Sequence, residues 1–210
     1  MAVVVKSRRY AGRTALERRL ARRRRLLEAA LGLFTGAGYA ASSIEALCGA
    51  AGVTARHLYE EFGGRQQVLR AAYDRINEEV LGCVGDAIAA AAADPGARVR
   101  AGLSAFVHAM LDDPRRARLV FVEVVGVSAE MERHRRETHH RYADLIRSEW
   151  ERLAPAASMP PRSTRLRAQA LVGGVNELVV ERVLGDVHID SEQLVDELVG
   201  LFLAAGGGHR

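Results

Sequence analysis

Apolar residues recur at intervals of three and four positions along most of this 210-residue chain. This spacing places them on one face of an α-helix. Breaks that contain Gly or Pro, at residues 36–38, 63–64, 94–96, 112–114 and 155–161, divide the pattern into successive segments. Half of the residues are apolar (49%), few are aromatic (5%), and Ala is the most frequent residue, which also favours helices. We therefore predict an all-α protein of about nine helices.

Residues 42–65 have the pattern of two short helices joined by a tight turn. Ser42 and Glu45 have the spacing of a capping box for the first helix, and Thr54 is placed to cap the second. Between them, Gly52 can adopt a left-handed conformation at little cost. The second helix is expected to bury Leu58 and Phe62 and to direct outward Ala55, Arg56, His57, Tyr59 and Glu60. This short polar face suits the recognition helix of a helix-turn-helix, whose first turn meets base edges in the major groove.

The same region resembles the tetracycline-repressor-like (TetR) family of bacterial regulators. Its motifs stand in register: Leu-Leu-Glu-Ala-Ala-Leu-Gly-Leu-Phe at 26–34, Gly-Ala-Gly-Tyr at 36–39, Ser-Ser-Ile-Glu-Ala-Leu at 42–47, Ala-Gly-Val-Thr at 51–54, Leu-Tyr-Glu-Glu-Phe at 58–62, then Arg65 and Val68-Leu69. Three positions depart from the family pattern. Glu61 replaces a usual His, Arg65 replaces a common Lys, and Arg56-His57 replaces a frequent pair of small residues. The last departure leaves the operator sequence open but not the mode of binding.

The resemblance implies an N-terminal, three-helix DNA-binding domain, whose residues carry over position by position. Thr54, Arg56 and His57 would read bases or phosphates. Arg56 is the best candidate for a guanine, because its planar fork matches two acceptors in the major groove. Ser42 or Ser43 would bind a phosphate or cap the helix, and the two roles are compatible.

Phosphate contacts are expected from three further positions. Tyr59 would contact a phosphate or pack partly on the first helix, and Arg65 would meet a phosphate at a helix N-terminus. Arg24 belongs to a run of four arginines, residues 22–25, that leads into the first helix. We favour phosphate contact for this run, since each neutralised phosphate releases counterions, although a solvated helix start would show the same pattern.

Charge is distributed unevenly, with 13 Lys and Arg against 5 Asp and Glu in residues 1–70, and 17 against 21 in the remainder. A basic N-terminal third suits contact with nucleic acid. We predict a flexible basic arm over residues 1–21, a helix-turn-helix DNA-binding domain over residues 22–82 (the head), and a ligand-binding and dimerisation domain over residues 83–206 (the body).

Six helices are predicted after the turn motif. One long helix runs from Arg65 to the break at 94–96, and the others cover residues 99–111, 119–125, 128 or 129 to 153, about 162–184, and a last helix with Asp190 as cap and Gln193 three residues on. The last two helices carry wide apolar stripes, which suit either a core or contact with a second copy across a two-fold axis. The residues predicted for a homodimer interface are Leu171, Val175, Leu178, Leu194, Leu198 and Phe202.

Several polar residues lie within apolar helical stripes of the body, and buried polar groups need partners. Either each is satisfied inside the fold, or several line a cavity for an unknown small-molecule effector, with aromatic residues as its apolar wall. The candidate pocket residues are Phe106, His108, Met110, Phe121, Glu123, Tyr142, Trp150 and Asn176.

Chemistry-bearing clusters are scarce in this sequence. His134, His139 and His140 lack the four-residue spacing of a metal pair on a helix, so we expect them to lie on a solvated or rim face and expect no metal site. Neither a nucleophile elbow nor a phosphate-cradling loop is present, and we expect no catalytic residue, no cofactor and no enzymatic activity. Cys48 and Cys83 are expected to be packed thiols rather than a disulfide.

No apolar stretch reaches the roughly 20 residues that span a bilayer, and the first ten residues lack the pattern of a signal peptide. We therefore expect a cytoplasmic protein without a membrane partner. The function that the sequence favours is a DNA-binding transcriptional regulator: a ligand-released repressor that binds a palindrome-like double-stranded DNA operator as a dimer. The alternatives are a small-molecule enzyme, or a non-specific nucleic-acid binder, with a basic helical head.

Overall fold

The computed structural model describes residues 15–153 and 161–206. Over these residues it contains nine α-helices and no strand, which confirms the predicted all-α class. The helices are α1 (Ala15–Gly36), α2 (Ile44–Ala51), α3 (Ala55–Phe62), α4 (Arg65–Ala90), α5 (Pro95–Leu111), α6 (Pro114–Arg118), α7 (Ala129–Leu153), α8 (Pro161–Leu184) and α9 (Ser191–Ala205), and a π-helical turn (Leu119–Glu123) continues α6.

The head has a dense apolar core between α1, α2, α3 and the start of α4. Leu26 and Phe34 of α1, Leu47 of α2, Leu58 of α3 and Leu69 of α4 are all fully buried there. The spacing of these residues along each helix is the helical period, so each helix turns one apolar face inward. This packing fixes the orientation of α3 relative to α1.

The body consists of α5–α9 and the second half of α4. α5 packs against α4 on one side and α9 on the other, and α7 packs along α8. α4 has 26 residues, which corresponds to a length of about 39 Å at the usual rise per residue. It runs without a break from the head into the body, so the predicted boundary at residues 82–83 lies inside this helix.

Three predicted helix starts are corrected by the structure. α1 begins at Ala15 rather than near Arg22, so residues 15–21, predicted as flexible arm, are helical; residues 1–14 lie outside the described residues. α5 begins at Pro95 rather than Val99, because the Asp94 carboxylate accepts a 2.7 Å hydrogen bond from the Ala97 backbone N–H and proline suits the first helical turn. α6 begins at Pro114 in the same way, with Asp113 as its N-cap.

The other predicted boundaries agree with the structure. α7 covers Ala129–Leu153, and α8 begins at Pro161. Asp190 caps α9, and Gln193 completes the predicted capping box. The loop predicted at 155–161 falls almost entirely on residues 154–160, which are outside the described ranges.

The two cysteines have different surroundings. Both are free thiols; Cys48 is buried, as expected, whereas Cys83 is exposed on α4, contrary to the expectation that it is packed. Among the described helices, none combines the length and the apolar character needed to cross a membrane.

Candidate nucleic-acid interface and ligand cavity

The turn between α2 and α3 is fixed by caps at both helices. Ser43 caps α2, and its Oγ accepts a 3.1 Å hydrogen bond from the Ala46 backbone N–H. Gly52 has φ 60°, the left-handed conformation that the sharp turn requires. Thr54 caps α3 through a hydrogen bond from the His57 backbone N–H to its Oγ1 (3.4 Å). These contacts hold the first turn of α3 toward solvent.

The predicted role of Ser42 is wrong. Ser42 is only 2% exposed, and its Oγ donates a 2.8 Å hydrogen bond to the carbonyl of Gly38. It therefore stabilises the loop between α1 and α2 and is not available to a phosphate. The capping role belongs to its exposed neighbour Ser43.

The outward face of α3 carries the side chains that the sequence predicts as DNA readers. Thr54 and Arg56 are exposed, Tyr59 is 54% exposed, and His57 is half-buried with its Nδ1 2.9 Å from Thr54 Oγ1. Arg56 Nε donates a 2.7 Å hydrogen bond to Glu60 one turn later, and this bond lowers the pKa of the Glu60 carboxyl. Exposed pairs of this kind hold their partners weakly, so the Arg56 guanidinium can exchange Glu60 for a base.

Two of the arginines near the start of α1 contact residues of α3. Arg19 and Arg23 donate to the two carboxylate oxygens of Glu61, at 2.7 and 3.2 Å, and the Arg23 guanidinium lies 4.6 Å from the Phe62 ring centroid. Burial raises the pKa of Glu61, but the hydrogen bonds from the two arginines outweigh burial and leave the pKa lowered. Glu61 thus anchors the first turns of α1 to α3, while Arg24 remains exposed beside them.

Arg65 braces the loop between α1 and α2. One Nη atom donates to the carbonyl of Ser42 (2.5 Å) and of Ala40 (3.3 Å), and the guanidinium lies 4.4 Å from the Tyr39 ring centroid. This guanidinium therefore supports the loop within the head through one of its nitrogens, and the phosphate contact that the resemblance implies stays a prediction.

Glu123 does not line the cavity predicted for it. One carboxylate oxygen accepts a 2.9 Å hydrogen bond from the Tyr39 backbone N–H, and the other accepts a 3.2 Å hydrogen bond from Arg118 Nε. The side chain is 10% exposed. Glu123 therefore ties the π-helical turn of the body to the loop that Arg65 braces in the head.

The body encloses a cavity of about 100 Å³ between α4, α5, α7, α8, α9 and the π-helical turn. Of the predicted pocket residues, five line it: Phe106, Phe121, Tyr142, Trp150 and Asn176. Met110 does not, because it is fully buried in the core. His108 does not either, because it lies at the surface between Asp112 (3.2 Å) and Glu192 (3.4 Å), whose hydrogen bonds raise its pKa.

Polar groups in the cavity wall form three pairs. Tyr142 Oη donates to Asn77 Oδ1 at 3.2 Å, and Asn176 Nδ2 lies 3.0 Å from His139 Nε2. Arg98 and Glu149 form an ion pair through contacts of 3.0 and 2.8 Å. The side chains of this pair are only 11% and 13% exposed.

The sequence did not indicate that His139, Asn77 or the Arg98–Glu149 pair belongs to the site. His139 was expected to be solvated, but it is half-buried in the cavity wall, and burial is the main cause that lowers its pKa. Only its neighbour His140 is exposed; His134 is largely buried and contacts Asp74 of α4. Within the described residues, no group of three His, Cys, Asp or Glu side chains could hold a metal ion.

The predicted dimer residues on α9 face the core instead of a partner. Leu194 and Leu198 are 1% exposed and pack in the body, and Phe202 lines the cavity, as does Val175 of α8. Leu171 and Leu178 are partly buried against the same core. The exposed apolar side chains of these helices are Leu166, Leu184 and Leu201, each more than half exposed.

A capped helix-turn-helix with an outward first turn is the arrangement of a DNA-binding head. Residues 26–72 match the family model of bacterial regulatory proteins of the tetR family. The match covers the head, so residues 26–72 form a TetR-type DNA-binding domain. A comparison with curated proteins finds no match.

Solved structures of regulators share the fold over most of the chain. The fatty acid degradation regulator FadR from Bacillus halodurans is 20% identical, with 90% of this chain and 97% of that chain covered and a TM-score of 0.78. A putative transcriptional regulator from Pseudomonas aeruginosa PAO1 is 22% identical, with 97% of both chains covered and a TM-score of 0.75. FadR from Bacillus subtilis in complex with stearoyl-CoA is 16% identical, with 87% and 98% covered and a TM-score of 0.75.

Proposed function

We propose that this protein is a sequence-specific repressor that binds a palindrome-like operator as a homodimer and leaves it when a small-molecule effector occupies the body. The observation that carries the proposal is the outward first turn of α3, capped by Thr54 and exposing Arg56 and Tyr59 in a TetR-type head. On a dimer, two such turns would enter major grooves one helical turn, about 34–36 Å, apart or a multiple of it.

Within this proposal the DNA-facing residues divide into two groups. Arg56 and His57, with Thr54, read base edges, because they lie on the first turn of the recognition helix. Ser43, Tyr59 and Arg24 contact phosphates from the flanks. The phosphate contacts would position the head, and the base contacts would specify the sequence.

A homodimer through α8 and α9 is supported by the faces that these helices leave open. Leu166 of α8 is 57% exposed and Leu201 of α9 is 51% exposed. Gly173, Gly174 and Gly200 have no neighbouring atom where a Cβ would stand, so a second copy could approach the backbone closely. Large apolar side chains beside small residues favour close helix packing across a two-fold axis.

Release by an effector is supported by the contacts between the cavity and the head. Val120 and Phe121 of the π-helical turn line the cavity, and Glu123 of the same turn holds the Tyr39 backbone in the head. α4 also lines the cavity at Asn77 and continues into the head core at Leu69. A ligand would act through these elements only if it binds the non-DNA geometry more tightly. The stearoyl-CoA complex of the Bacillus subtilis FadR is consistent with an effector site in this fold.

Selection of duplexes from a random DNA library would test the proposed function. We expect enrichment of a two-fold symmetric sequence by the purified protein, and loss of enrichment at one position of each half-site with Arg56→Ala. Glu137→Lys, at an exposed position of α7, is the control variant and should select the same sequence. Enrichment of no sequence, or of an asymmetric single site, would contradict the proposal.

A further inference from the structure

We propose that the cavity selects an uncharged, largely apolar ligand whose one polar group offers both a hydrogen-bond donor and an acceptor to the His139–Asn176 pair. A primary amide or an alcohol has this chemistry. The inference rests on the proposed function, since it assigns the ligand class of the same effector site.

The wall of the cavity sets the apolar requirement. Aromatic and aliphatic side chains form most of it, including Phe106, Phe121, Ile146, Trp150, Val175 and Phe202. Such a wall gains from burying apolar ligand surface, at a free energy roughly proportional to the area removed from water. A ligand without an apolar part would not bury this apolar surface.

The His139–Asn176 pair sets the requirement for the polar group. With Asn176 Nδ2 as donor to His139 Nε2, the ring carries its proton on Nδ1 and the amide leaves Oδ1 as a free acceptor. With the amide flipped, the ring nitrogen Nδ1 is the acceptor and the Asn176 NH₂ is the donor. Either arrangement presents one donor and one acceptor and no charge, so the complementary ligand group is neutral and bifunctional.

One ring nitrogen and the amide oxygen of this pair have no partner. Among the described residues, none forms a hydrogen bond with His139 Nδ1 or Asn176 Oδ1. Both residues line the cavity. A ligand that satisfies the two atoms therefore gains hydrogen bonds, whereas a purely apolar ligand leaves them without partners.

The charges in the wall disfavour an ionic ligand. Arg98 and Glu149 are bonded to each other, so a ligand carboxylate or ammonium group would compete with this pair. His139 is kept neutral mainly by its burial, with the charges of Arg135 and His140 acting in the same direction on its pKa. A charged ligand would therefore have to displace part of the ion pair or be buried without a partner, and both are costly.

The cavity suits a small ligand body. Its volume is about 100 Å³, whereas an apolar cavity of roughly 150 Å³ is known to hold benzene, so a ligand with one ring also requires side chains of the wall to move.

Five compounds with one phenyl ring and different polar groups would test the selection: phenylacetamide, 2-phenylethanol, phenylacetate, 2-phenylethylamine and ethylbenzene. Trp150 is the one tryptophan of the sequence and lines the cavity, so its fluorescence reports binding directly. We expect phenylacetamide and 2-phenylethanol to bind at least tenfold more tightly than phenylacetate and 2-phenylethylamine at pH 7.5. Equal or tighter binding of either ion, or binding of no compound, would overturn the inference.

Two variants separate the polar pair from the apolar wall. His139→Leu and Asn176→Leu should each weaken phenylacetamide about tenfold, because they remove half of the donor–acceptor pair, and should leave ethylbenzene within about twofold. Unchanged ethylbenzene binding also shows that the variant is folded. His140→Leu, at the exposed neighbouring position, is the matched control and should change neither compound. Equal loss of both compounds in both variants would refute the role of the pair.

Operator release separates this inference from the proposed function. If phenylacetamide binds with the expected selectivity and leaves the protein on DNA, the ligand class stands and the effector role is overturned. If phenylacetamide releases DNA while the leucine variants bind it as well as wild type, the effector role stands and the polar pair is overturned.

Discussion

The head and the body are built from the same helical pattern but bury different chemistry. In the head, the interior is apolar, with Leu26, Phe34 and Leu58 fully buried, while most polar side chains lie outside. In the body, an amide, an imidazole and an ion pair line an internal space. A packed apolar core holds α3 in one orientation, whereas a polar-lined cavity can exchange internal hydrogen bonds for those of a ligand.

The junction between these regions differs from both interiors. Besides α4 and the packing of α1 on α6 and the π-helical turn, it contains the Glu123–Tyr39 hydrogen bond and partly exposed ion pairs such as Arg115–Glu28 (3.3 Å) and Arg70–Glu130 (3.0 Å). Exposed ion pairs contribute little to stability and can rearrange. The polar contacts of the junction can therefore change while the packing inside the head and the body is kept.

The largest expected effect is on the body core. Leu198→Glu places a charge without a partner at a site that is 1% exposed, which we expect to destabilise the protein by about 3–5 kcal/mol. Thermal unfolding followed by circular dichroism would measure this loss.

Leu201→Glu, three positions along the same helix and 51% exposed, is the matched variant for the dimer. We expect it to leave the fold intact and to yield monomers in light scattering. A stable dimer of Leu201→Glu would place the subunit interface elsewhere, and a stable Leu198→Glu would contradict the packing of α9.

The next effect concerns the outward face of the head. Arg56→Ala should weaken specific operator binding roughly tenfold to a hundredfold, because a bidentate contact to a base is lost. The fold should be unaffected, since the side chain is exposed. Fluorescence anisotropy on matched and single-base-substituted duplexes would measure both affinity and preference. Equal weakening on every duplex would assign Arg56 to a phosphate instead.

A smaller effect is expected from the anchor between α1 and α3. Glu61→Gln removes the charge that pairs with Arg19 and Arg23 and should cost about 0.5–1 kcal/mol of stability at pH 7. Because the folded-state pKa of Glu61 is lowered from 4.5, its contribution is complete above that pH and is lost as the pH falls through the lowered folded value. Urea unfolding of both proteins at several pH values would measure this.

The difference between wild type and Glu61→Gln should therefore shrink as the pH falls below about 4.5. Since all other carboxyl groups titrate in both proteins, the difference isolates Glu61. A difference that stays constant down to low pH would show that the loss comes from packing and not from charge.

The smallest expected effect is at the junction. Glu123→Gln keeps the shape but weakens the acceptor for the Tyr39 backbone N–H, so we expect this amide to exchange its hydrogen a few-fold faster. Arg118→Gln removes the contact to the other carboxylate oxygen and is the matched control, with exchange at Tyr39 nearly unchanged. Unaltered exchange in Glu123→Gln would mean that this hydrogen bond does not restrain the head.

Local signals were predictable from the sequence, because they depend on residues close together in the chain. The left-handed Gly52, the cap at Thr54 and the capping box of Asp190 with Gln193 are of this kind. Ser42 was mistaken for the cap because Glu45 follows it at the capping-box spacing, whereas the observed cap, Ser43, has Ala46 at that position.

Which side of each helix packs against the core was less predictable, because it depends on contacts between residues distant in sequence. α9 is apolar on most of its surface, so its pattern does not distinguish Leu198, which packs inside, from Leu201, which remains outside. For a similar reason, His108 was placed in the pocket and His139 outside it. The neighbours that bury His139 come from other helices, including Asn176 of α8. Glu123 finds its partner at Tyr39, which no local spacing indicates.

The central claim is that the head reads a specific sequence and is not merely attracted to phosphate. Fluorescence anisotropy with DNA from upstream of the protein's own gene, against a scrambled duplex over a salt series, tests this claim most directly. We predict tighter binding to the upstream duplex, with a preference that persists as salt rises, because base contacts depend less on salt than phosphate contacts do. The claim would be contradicted if the upstream and scrambled duplexes bind equally and both lose binding as salt rises, and if DNA from neighbouring genes behaves in the same way.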